Sequence, residues 1–265
     1  MPDVRDEVVL GEITCPSGEM VLIDGGYLNL WSGDRTPLQL DAQWVDAEIT
    51  GPDAAAAAQA FHRQDGAGLY DIPRHARDRY VELFRALAGR YDATLTPLAD
   101  QVPHRERARR AIARGDGQFT LTGIAVVAVG DLPRDRPLPV TGVRAADGGW
   151  AGLRVRVRDA PVAGTRQLGA VGVDTARLVF GDADGLGSWR AADLAGDATG
   201  APVLRSDQLR AVAAVRSSPH AAATLEVGGA RILFASVSGG FFPVRVETGA
   251  DGRTCAVVVT VERFD

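Results

Sequence analysis

The segment from Ala222 to Asp265 alternates apolar runs with short glycine turns. The dipeptides Gly228-Gly229 and Asp251-Gly252 suit two-residue hairpin turns, because glycine takes a positive φ at no steric cost. The run from Arg231 to Val237 is almost wholly apolar, which is typical of a strand covered on both faces. With a further turn at Ser238-Gly239-Gly240, the pattern predicts a C-terminal β-meander of four consecutive antiparallel strands, the second of them central.

The glycine turns also predict the register of these strands. The first turn places Glu226 opposite Arg231. The second places Val246 opposite Val257, so that apolar side chains share one face of the sheet. A slip of one residue would turn that face towards water, so we expect this register to be strongly specified.

Apolar patterns predict further strands elsewhere in the chain. They span residues 8–14, 20–23, 27–31, 38–49, 119–129, 138–143 and 150–158. A short strand, a turn or second strand, and an acidic loop are expected over residues 171–189. Helical periodicity and capping residues predict helices over about residues 52–64, 74–88, 103–114 and 206–215, with Ser206 as the N-cap of the last. In the second helix we expect one buried stripe, formed by Tyr80, Leu83, Phe84 and Leu87.

The order of these elements predicts an α+β fold with an antiparallel β-rich core, the C-terminal β-meander and an inserted helical segment. Three divisions follow: an N-terminal β segment over residues 1–50, a helical insertion over 51–117, and a β-rich C-terminal domain over 118–265. A chain of 265 residues lies near the upper limit of one hydrophobic core, so a single compact unit is the alternative.

Composition narrows the cellular setting. No apolar run approaches the length of a membrane-spanning helix, which takes roughly 20 residues, and the first residues are acidic where a secretory signal would be basic. We therefore expect a cytoplasmic protein without membrane contact. In that setting Cys15 and Cys255 are expected to be two buried thiols rather than a disulfide.

Charge excludes several chemistries. All 29 basic residues are arginine, a bias typical of a high-GC bacterial genome such as those of actinobacteria. The absence of lysine excludes Schiff-base, phosphate-loop and serine-lysine chemistry. A net charge of −5 argues against general nucleic-acid binding, which requires a clustered positive face.

An acidic segment near residue 182 has part of the spacing of a calcium loop. Asp182 and Asp184 are two residues apart, Gly187 follows at the sixth position and Asp193 at the twelfth. Leu186 stands where an oxygen ligand belongs, so the alternative is an ordinary turn preceding a helix. We expect no cofactor, with calcium or magnesium at Asp182, Asp184 and Asp193 as the alternative.

The candidates for acid-base chemistry are scattered. Asp174 could join the acidic segment in a hard-metal site if the fold brought them together. His75 and His104 lie near predicted helix starts, and with Tyr70 and Asp71 they could form an acid-base cluster. A surface or capping histidine is the more common case for each. The sequence has no nucleophile elbow, paired-cysteine motif or dinucleotide fingerprint.

Two groups of arginines are candidates for binding. Arg105 and Arg109 lie on the third predicted helix, and Arg154 and Arg156 alternate with apolar residues on a predicted strand. The planar guanidinium can hold carboxylates or phosphates bidentately, so a partner of these groups is expected to be acidic. The alternative is that they form solvated faces paired with the acids of the same chain.

A resemblance extends over about residues 118–265. It is carried by Trp150-Ala-Gly-Leu-Arg-Val-Arg-Val, by Val171-Gly-Val-Asp174 with Asp182 following, and by the segment from Ile232 to Val246 with Asp251-Gly-Arg. These motifs resemble an uncharacterised bacterial family, domain of unknown function 4241. Where that family tends to have an acid between glycines, this chain has Gly239-Gly240-Phe241, which puts any role of that acid in doubt. The resemblance implies a β-rich fold and no established activity.

A second, shorter resemblance concerns the amino-terminal part. The segment from Gly25 to Asp34 is similar to immunity proteins of bacterial toxin systems. We therefore predict a non-enzymatic cytoplasmic protein-binding domain; its more specific form is an immunity protein that neutralises a basic toxin domain by charge complementarity. The alternatives are a divalent-metal-dependent hydrolase using Asp174, Asp182 and Asp184, and a structural or small-molecule-sensing domain.

Overall fold

The structure is a computed structural model that describes residues 7–37, 44–61, 68–146, 148–190, 193–196 and 202–261. Its strands are β1 (Glu7–Ile13), β2 (Met20–Asp24), β3 (Trp44–Thr50), β4 (Gly68–Pro73), β5 (Thr94–Pro97), β6 (Gln118–Leu121), β7 (Ile124–Val129), β8 (Leu138–Arg144), β9 (Trp150–Arg156), β10 (Gly164–Val173), β11 (Arg177–Asp182), β12 (Asp193–Gly196), β13 (Pro202–Arg205), β14 (Ala222–Val227), β15 (Ala230–Ser236), β16 (Gly240–Thr248) and β17 (Thr254–Thr260). Its α-helices are α1 (Ala54–Ala60), α2 (Arg77–Ala88), α3 (His104–Arg114), α4 (Ala183–Leu186) and α5 (Asp207–Ser217). The predicted α+β fold dominated by β-sheet is confirmed. In the part of the chain described here, no helix is long and apolar enough to cross a membrane.

Two six-stranded antiparallel sheets pack face to face as a sandwich. Sheet A has the order β1-β8-β9-β17-β16-β10, and sheet B the order β14-β15-β11-β2-β7-β6. Their facing sides form one core, in which Phe180 and Leu233 of sheet B join Val155 and Val257 of sheet A. Alternation along each strand places these apolar residues inward and charged residues such as Arg154 outward.

The other face of sheet B is covered by helices. Val126 and Phe234 of the sheet share a second core with Ala108 and Ala111 of α3 and with Ala211 of α5. The molecule is therefore built from three layers, with sheet B buried on both sides. This double burial explains why β15 is almost wholly apolar.

A small subdomain is formed by residues 44–61 and 68–97. Strands β4 and β5 flank β3 in a three-stranded antiparallel sheet, and α1 and α2 belong to the same subdomain. Its own core includes Ile49, Phe61, Phe84 and Leu95. The predicted helical insertion over 51–117 thus contains its helices, but it also contains two strands that pair with β3.

The predicted C-terminal β-meander is wrong in one respect. The pairings of Glu226 with Arg231 and of Val246 with Val257 are both confirmed. However, β14 and β15 belong to sheet B, whereas β16 and β17 belong to sheet A. The residues between β15 and β16 therefore cross from one sheet to the other, which local alternation does not reveal because both sheets bury one face in the same core.

Three shorter predictions are also wrong. Residues 119–129 are not one strand but the hairpin of β6 and β7, whose turn has positive φ at Thr122 (48°) and Gly123 (83°). Residues 28–30 form a 3-10 helix rather than a strand. In α2, Leu87 is 57% exposed, whereas Phe84 and Ala88 are buried, because the helix packs through a face offset from the predicted stripe.

Candidate functional site

Asp182 caps a short helix. Its carboxylate accepts hydrogen bonds from the Ser17 amide (2.9 Å) and hydroxyl (2.6 Å), and from the amides of Asp184 (3.0 Å) and Gly185 (2.9 Å). The side chain is buried at the start of α4, and these four donors occupy its acceptor positions. The nearby Cys15 thiol has its pKa raised to about 12 by burial and by Asp182, so it stays protonated. The acidic segment is thus a structural junction.

The other predicted metal and catalytic acids do not gather around it. Asp184 pairs with Arg105, and Asp174 is exposed and accepts a hydrogen bond from Tyr27 Oη at 3.2 Å. Asp193 lies on β12, and its side chain falls outside the described residues. Among the side chains that the structure describes, no three His, Cys, Asp or Glu residues form a group that could hold a metal ion. The calcium or magnesium alternative stays a prediction.

The arginines predicted to bind a partner on α3 are paired within the chain. Arg105 contacts Glu19 at 3.3 Å and Asp34 at 3.2 Å, besides Asp184. Arg109 contacts the same two acids, Glu19 at 3.6 Å and Asp34 at 3.3 Å. This side of α3 is therefore a mixed-charge surface and not a free basic face.

The arginines of β9 lie on the outer face of sheet A, as the alternation predicts. Arg154 donates from both terminal nitrogens to Glu247 Oε2, at 2.6 and 2.7 Å. Arg156 is exposed on the same face, while Leu153 and Val155 between them are buried. Binding of a partner through this face stays a prediction.

A buried ionic cluster, which was not predicted from the sequence, lies between α3 and the subdomain. Arg107 is fully buried and donates to both oxygens of Asp46 (3.1 and 3.3 Å) and of Asp71 (both 3.0 Å). It also donates to the carbonyl oxygens of Val102 and Thr120, at 3.0 and 2.8 Å. Each of its three side-chain nitrogens is thus engaged. Asp71 was already a candidate for acid-base chemistry, whereas Arg107 and Asp46 were not. An arginine on the same face of α3 as its buried alanines was a further sequence signal for the cluster.

His104 lies beside this cluster and is equally buried. Its Nδ1 accepts a hydrogen bond from the Ser32 amide at 3.0 Å, and its ring stacks on Trp31. Burial, with the nearby Arg107 charge, holds the pKa of His104 well below its usual range. His75, by contrast, is exposed on a 3-10 helix at Arg74–Ala76. The predicted acid-base cluster is therefore split between a buried structural histidine and a surface one.

A cavity of about 660 Å³ lies at one end of the sandwich. It is lined by the end of α3, by β7 and the loop after it, by the residues following β9, and by parts of β10, β16 and the turn before β17. Cavities of roughly 300–1,000 Å³ are typical of small-molecule sites. The cavity is therefore large enough for a metabolite-sized ligand.

The lining of the cavity is strongly basic. It includes Arg136, Arg158, Arg166 and Arg253 against one acid, Asp131. Arg158 is paired with Asp251, which lies outside the lining. Arg136 donates to the Val157 carbonyl oxygen and Arg166 to the Gly115 carbonyl oxygen. Within the described ranges Arg136, Arg166 and Arg253 form no ion pair with a carboxylate, so three of the four arginines at this cavity lack an acidic counterpart.

Part of the cavity wall is apolar. Ile112, Leu132, Leu168 and Val246 contribute hydrophobic surface. Gly130 allows α3 to approach, because a Cβ at this position would lie 2.8 Å from Ile112 Cγ2. The cavity thus combines apolar walls with arginines, a combination suited to an anion that has a hydrocarbon part.

The sequence contains little local signal for this cavity. Its arginines come from four separate segments, at residues 136, 158, 166 and 253, and only the sandwich brings them together. No protein-family model, curated protein or solved structure matches this chain. The resemblances to domain of unknown function 4241 and to immunity proteins therefore stay predictions.

Proposed function

We propose that this protein binds a small organic anion in the cavity at the end of the sandwich. The observation that carries this proposal is the pair Arg136 and Arg166, which line the cavity and have no carboxylate partner in the described part of the chain. Guanidinium groups form short, bidentate hydrogen bonds with carboxylates and phosphates. The apolar walls favour an anion with a hydrocarbon part over an inorganic ion.

The charge distribution supports the same proposal. The chain as a whole carries a net charge of −5, whereas the cavity lining has four arginines and one aspartate. A cavity of this kind concentrates positive potential locally, because its low-dielectric walls focus the field of the charges that line it. Anions are therefore attracted to this position despite the acidic surface elsewhere.

The kinds of residue around the cavity favour binding over catalysis. The described lining residues include no histidine, cysteine or tyrosine, and Asp131 is their single carboxylate. General acid-base or nucleophilic catalysis usually relies on such groups. A small-molecule-sensing role, one of the alternatives from the sequence, is therefore the one that the cavity supports. An immunity function and a metal-dependent hydrolase stay predictions from the sequence.

Thermal denaturation in the presence of organic anions tests the proposal. Hexanoate, glutarate and hexyl phosphate are added to the wild type and to an Arg136→Gln/Arg166→Gln variant. A ligand at 100 times its Kd raises the free energy of unfolding by about 2.7 kcal/mol. We expect a rise in Tm for the wild type with at least one of these anions, and its loss in the double variant.

A control for the loss of an arginine outside the cavity is available on the outer face of sheet A. Arg156→Gln removes one positive charge at an exposed position outside the cavity lining. This variant should keep the full ligand-induced rise in Tm. If no anion stabilises the wild type, or if the double variant responds as the wild type does, the proposed function is rejected.

A further inference from the structure

A second cavity of about 430 Å³ adjoins the anion cavity. The two cavities share four lining residues, which are Ile112, Gly130, Asp131 and Leu132. These residues form a common wall, so a ligand in the first cavity can continue over the wall into the second. A ligand that spans both cavities needs a group in the second cavity to bind its far end.

Arg134 supplies a cationic group in the second cavity. It lines that cavity and is exposed, and within the described ranges it has no carboxylate partner. A Cβ on Gly18 would lie 2.8 Å from Arg134 Nε, so the side chain packs over backbone that only glycine leaves bare. Arg109 and the acid Glu19, both in the same lining, are paired with each other, and Arg109 also contacts Asp34. Arg134 is therefore the group available to an anion there.

The common wall is fixed in place. Leu132 is buried in the sandwich core, and its amide donates to the Gly18 carbonyl oxygen at 3.1 Å. Asp131, next to it, is exposed and has φ of 58°, a conformation that aspartate and asparagine adopt more readily than most residues. Because Asp131 is the acid on the wall, it disfavours an anionic group placed midway between the two cavities.

We infer that the ligand is an elongated organic anion with an acidic group at each end. It lies across the wall at Asp131, with one acid at Arg136 and Arg166 and the other at Arg134. Its middle section is uncharged and contacts Ile112. This inference rests on the proposed function, since it extends the ligand that occupies the first cavity.

Calorimetric titration with two matched ligand series tests this inference. The first series consists of linear dicarboxylates from glutarate to sebacate, and the second of monocarboxylates with the same numbers of carbon atoms. Adding one charge-assisted contact raises affinity by about tenfold or more. We expect the longer dicarboxylates to bind at least about tenfold more tightly than their monocarboxylate counterparts.

Three variants separate the two cavities. Arg134→Gln should abolish the advantage of the dicarboxylates and leave monocarboxylate affinity unchanged. Arg166→Gln should weaken both series, and Arg156→Gln should weaken neither. Asp131→Asn, which keeps a residue suited to a positive φ, should tighten binding of dicarboxylates because it removes the charge on the wall.

The outcomes distinguish the two proposals. If dicarboxylates have no advantage, or if Arg134→Gln leaves their advantage intact, the elongated ligand is rejected while the proposed function stands. If neither series binds, or if Arg166→Gln affects neither, the proposed function fails and this inference fails with it. Because Arg134 is exposed, the Arg134→Gln variant is expected to fold. The melting temperature of this variant without ligand checks that it has done so.

Discussion

Two kinds of arginine site differ in burial: one lies on α3, and the other lies beyond the C-terminal end of this helix. In the first turn of the helix, Arg107 is fully buried and is neutralised by Asp46 and Asp71. Beyond its C-terminal end, Arg136 and Arg166 line an open cavity and donate only to carbonyl oxygens in the described structure. A buried cation must be paired within the protein, because an unpaired one is strongly destabilising. An arginine at a hydrated cavity keeps its charge available for a ligand.

The buried cluster also joins separate parts of the fold. Asp46 comes from β3, Asp71 from β4 and Arg107 from α3, while the Thr120 carbonyl oxygen belongs to β6 of sheet B. Asp46 further accepts hydrogen bonds from the amides of Asp71 (2.9 Å) and Val102 (2.6 Å). The cluster thus fixes the subdomain against α3 and sheet B. We expect its loss to affect folding, whereas loss of a cavity arginine affects binding.

The largest expected effect is that of Arg107→Ala. Removing the arginine leaves two carboxylates buried without their cation, which lowers the free energy of unfolding by about 3–5 kcal/mol. Urea denaturation measures the difference. Arg166→Ala is the control and should change stability by less than about 0.5 kcal/mol, because its side chain is exposed. Equal losses of stability in the two variants would contradict the difference between the buried and the exposed arginines.

Restoring charge balance tests whether the uncompensated buried charge causes this loss of stability. Arg107→Met, combined with Asp46→Asn and Asp71→Asn, removes the cation and both anions together. Because no uncompensated charge remains buried, the triple variant should recover part of the stability lost in Arg107→Ala. A triple variant less stable than Arg107→Ala would show that the hydrogen bonds, and not the charges, dominate the cluster.

The next effect concerns the wall of the cavity. In Gly130→Ala the new Cβ would lie 2.8 Å from Ile112 Cγ2, so α3 must shift. Overpacking of this kind lowers stability by about 1–3 kcal/mol. Gly239→Ala is the control, because its added Cβ meets nothing closer than the Val173 carbonyl oxygen at 3.4 Å. Chemical denaturation of both variants checks the prediction, and similar stabilities would contradict it.

A smaller effect is expected from His104 as pH falls. Burial lowers the pKa of His104, so below about pH 6.5 the unfolded chain takes up a proton that the folded protein does not. The free energy of unfolding therefore decreases by at most about 1.4 kcal/mol per pH unit as pH falls through that window. His104→Asn, which can keep an acceptor for the Ser32 amide, should remove this slope, whereas His75→Gln should not.

Asp46, in the same cluster, changes the free energy of unfolding with pH in the opposite direction. Burial raises the pKa of Asp46, although Arg107 opposes the shift. The folded protein therefore holds this proton more tightly than the unfolded chain, and the corresponding stability is lost as pH rises through the folded pKa. Its window begins near the unfolded value of about 3.9, and the opposite sign of its pH dependence distinguishes it from the His104 contribution. Unchanged pH dependence in His104→Asn would contradict the assignment.

The smallest effect is that of salt. Raising NaCl from about 0.1 to 1 M shortens the Debye length from about 10 to 3 Å. Anion binding at the exposed arginines should weaken several-fold, whereas the loss of stability in Arg107→Ala should stay the same because buried pairs are screened much less. Calorimetry and urea denaturation at both salt concentrations compare the two sites. A salt-dependent Arg107→Ala penalty would show that the cluster is hydrated.

Local features of the fold could be predicted from the sequence. The hairpin at Gly228-Gly229 and the Ser206 cap of α5 are confirmed, since turn and cap residues act within a few positions of themselves. The change of sheet between β15 and β16 could not, because the alternation of the two strands is the same whichever sheet they join. Sequence patterns therefore revealed elements and registers better than their arrangement.

The candidate site was largely hidden for the same reason. Asp182 and Asp184 were the alternative metal ligands because of their spacing, but spacing does not reveal that the Ser17 hydroxyl and amide occupy one oxygen of Asp182. The cavity arginines, such as Arg136 and Arg166, are separated in sequence and have no motif in common. A site assembled from long-range contacts can be recognised only when the sandwich has placed its parts together.

The most direct test of the anion cavity is a titration of the isotope-labelled protein with suberate, followed by the NMR shifts of its backbone amides. If the anion binds in the cavity, we expect saturable shifts at Gly115, Gly130 and Gly252, which line it, and none at Phe84 in the subdomain core. The same titration of Arg136→Gln/Arg166→Gln should give no saturation. Shifts confined to the outer face of sheet A around Arg156, or no saturable shifts in the wild type, would contradict the account.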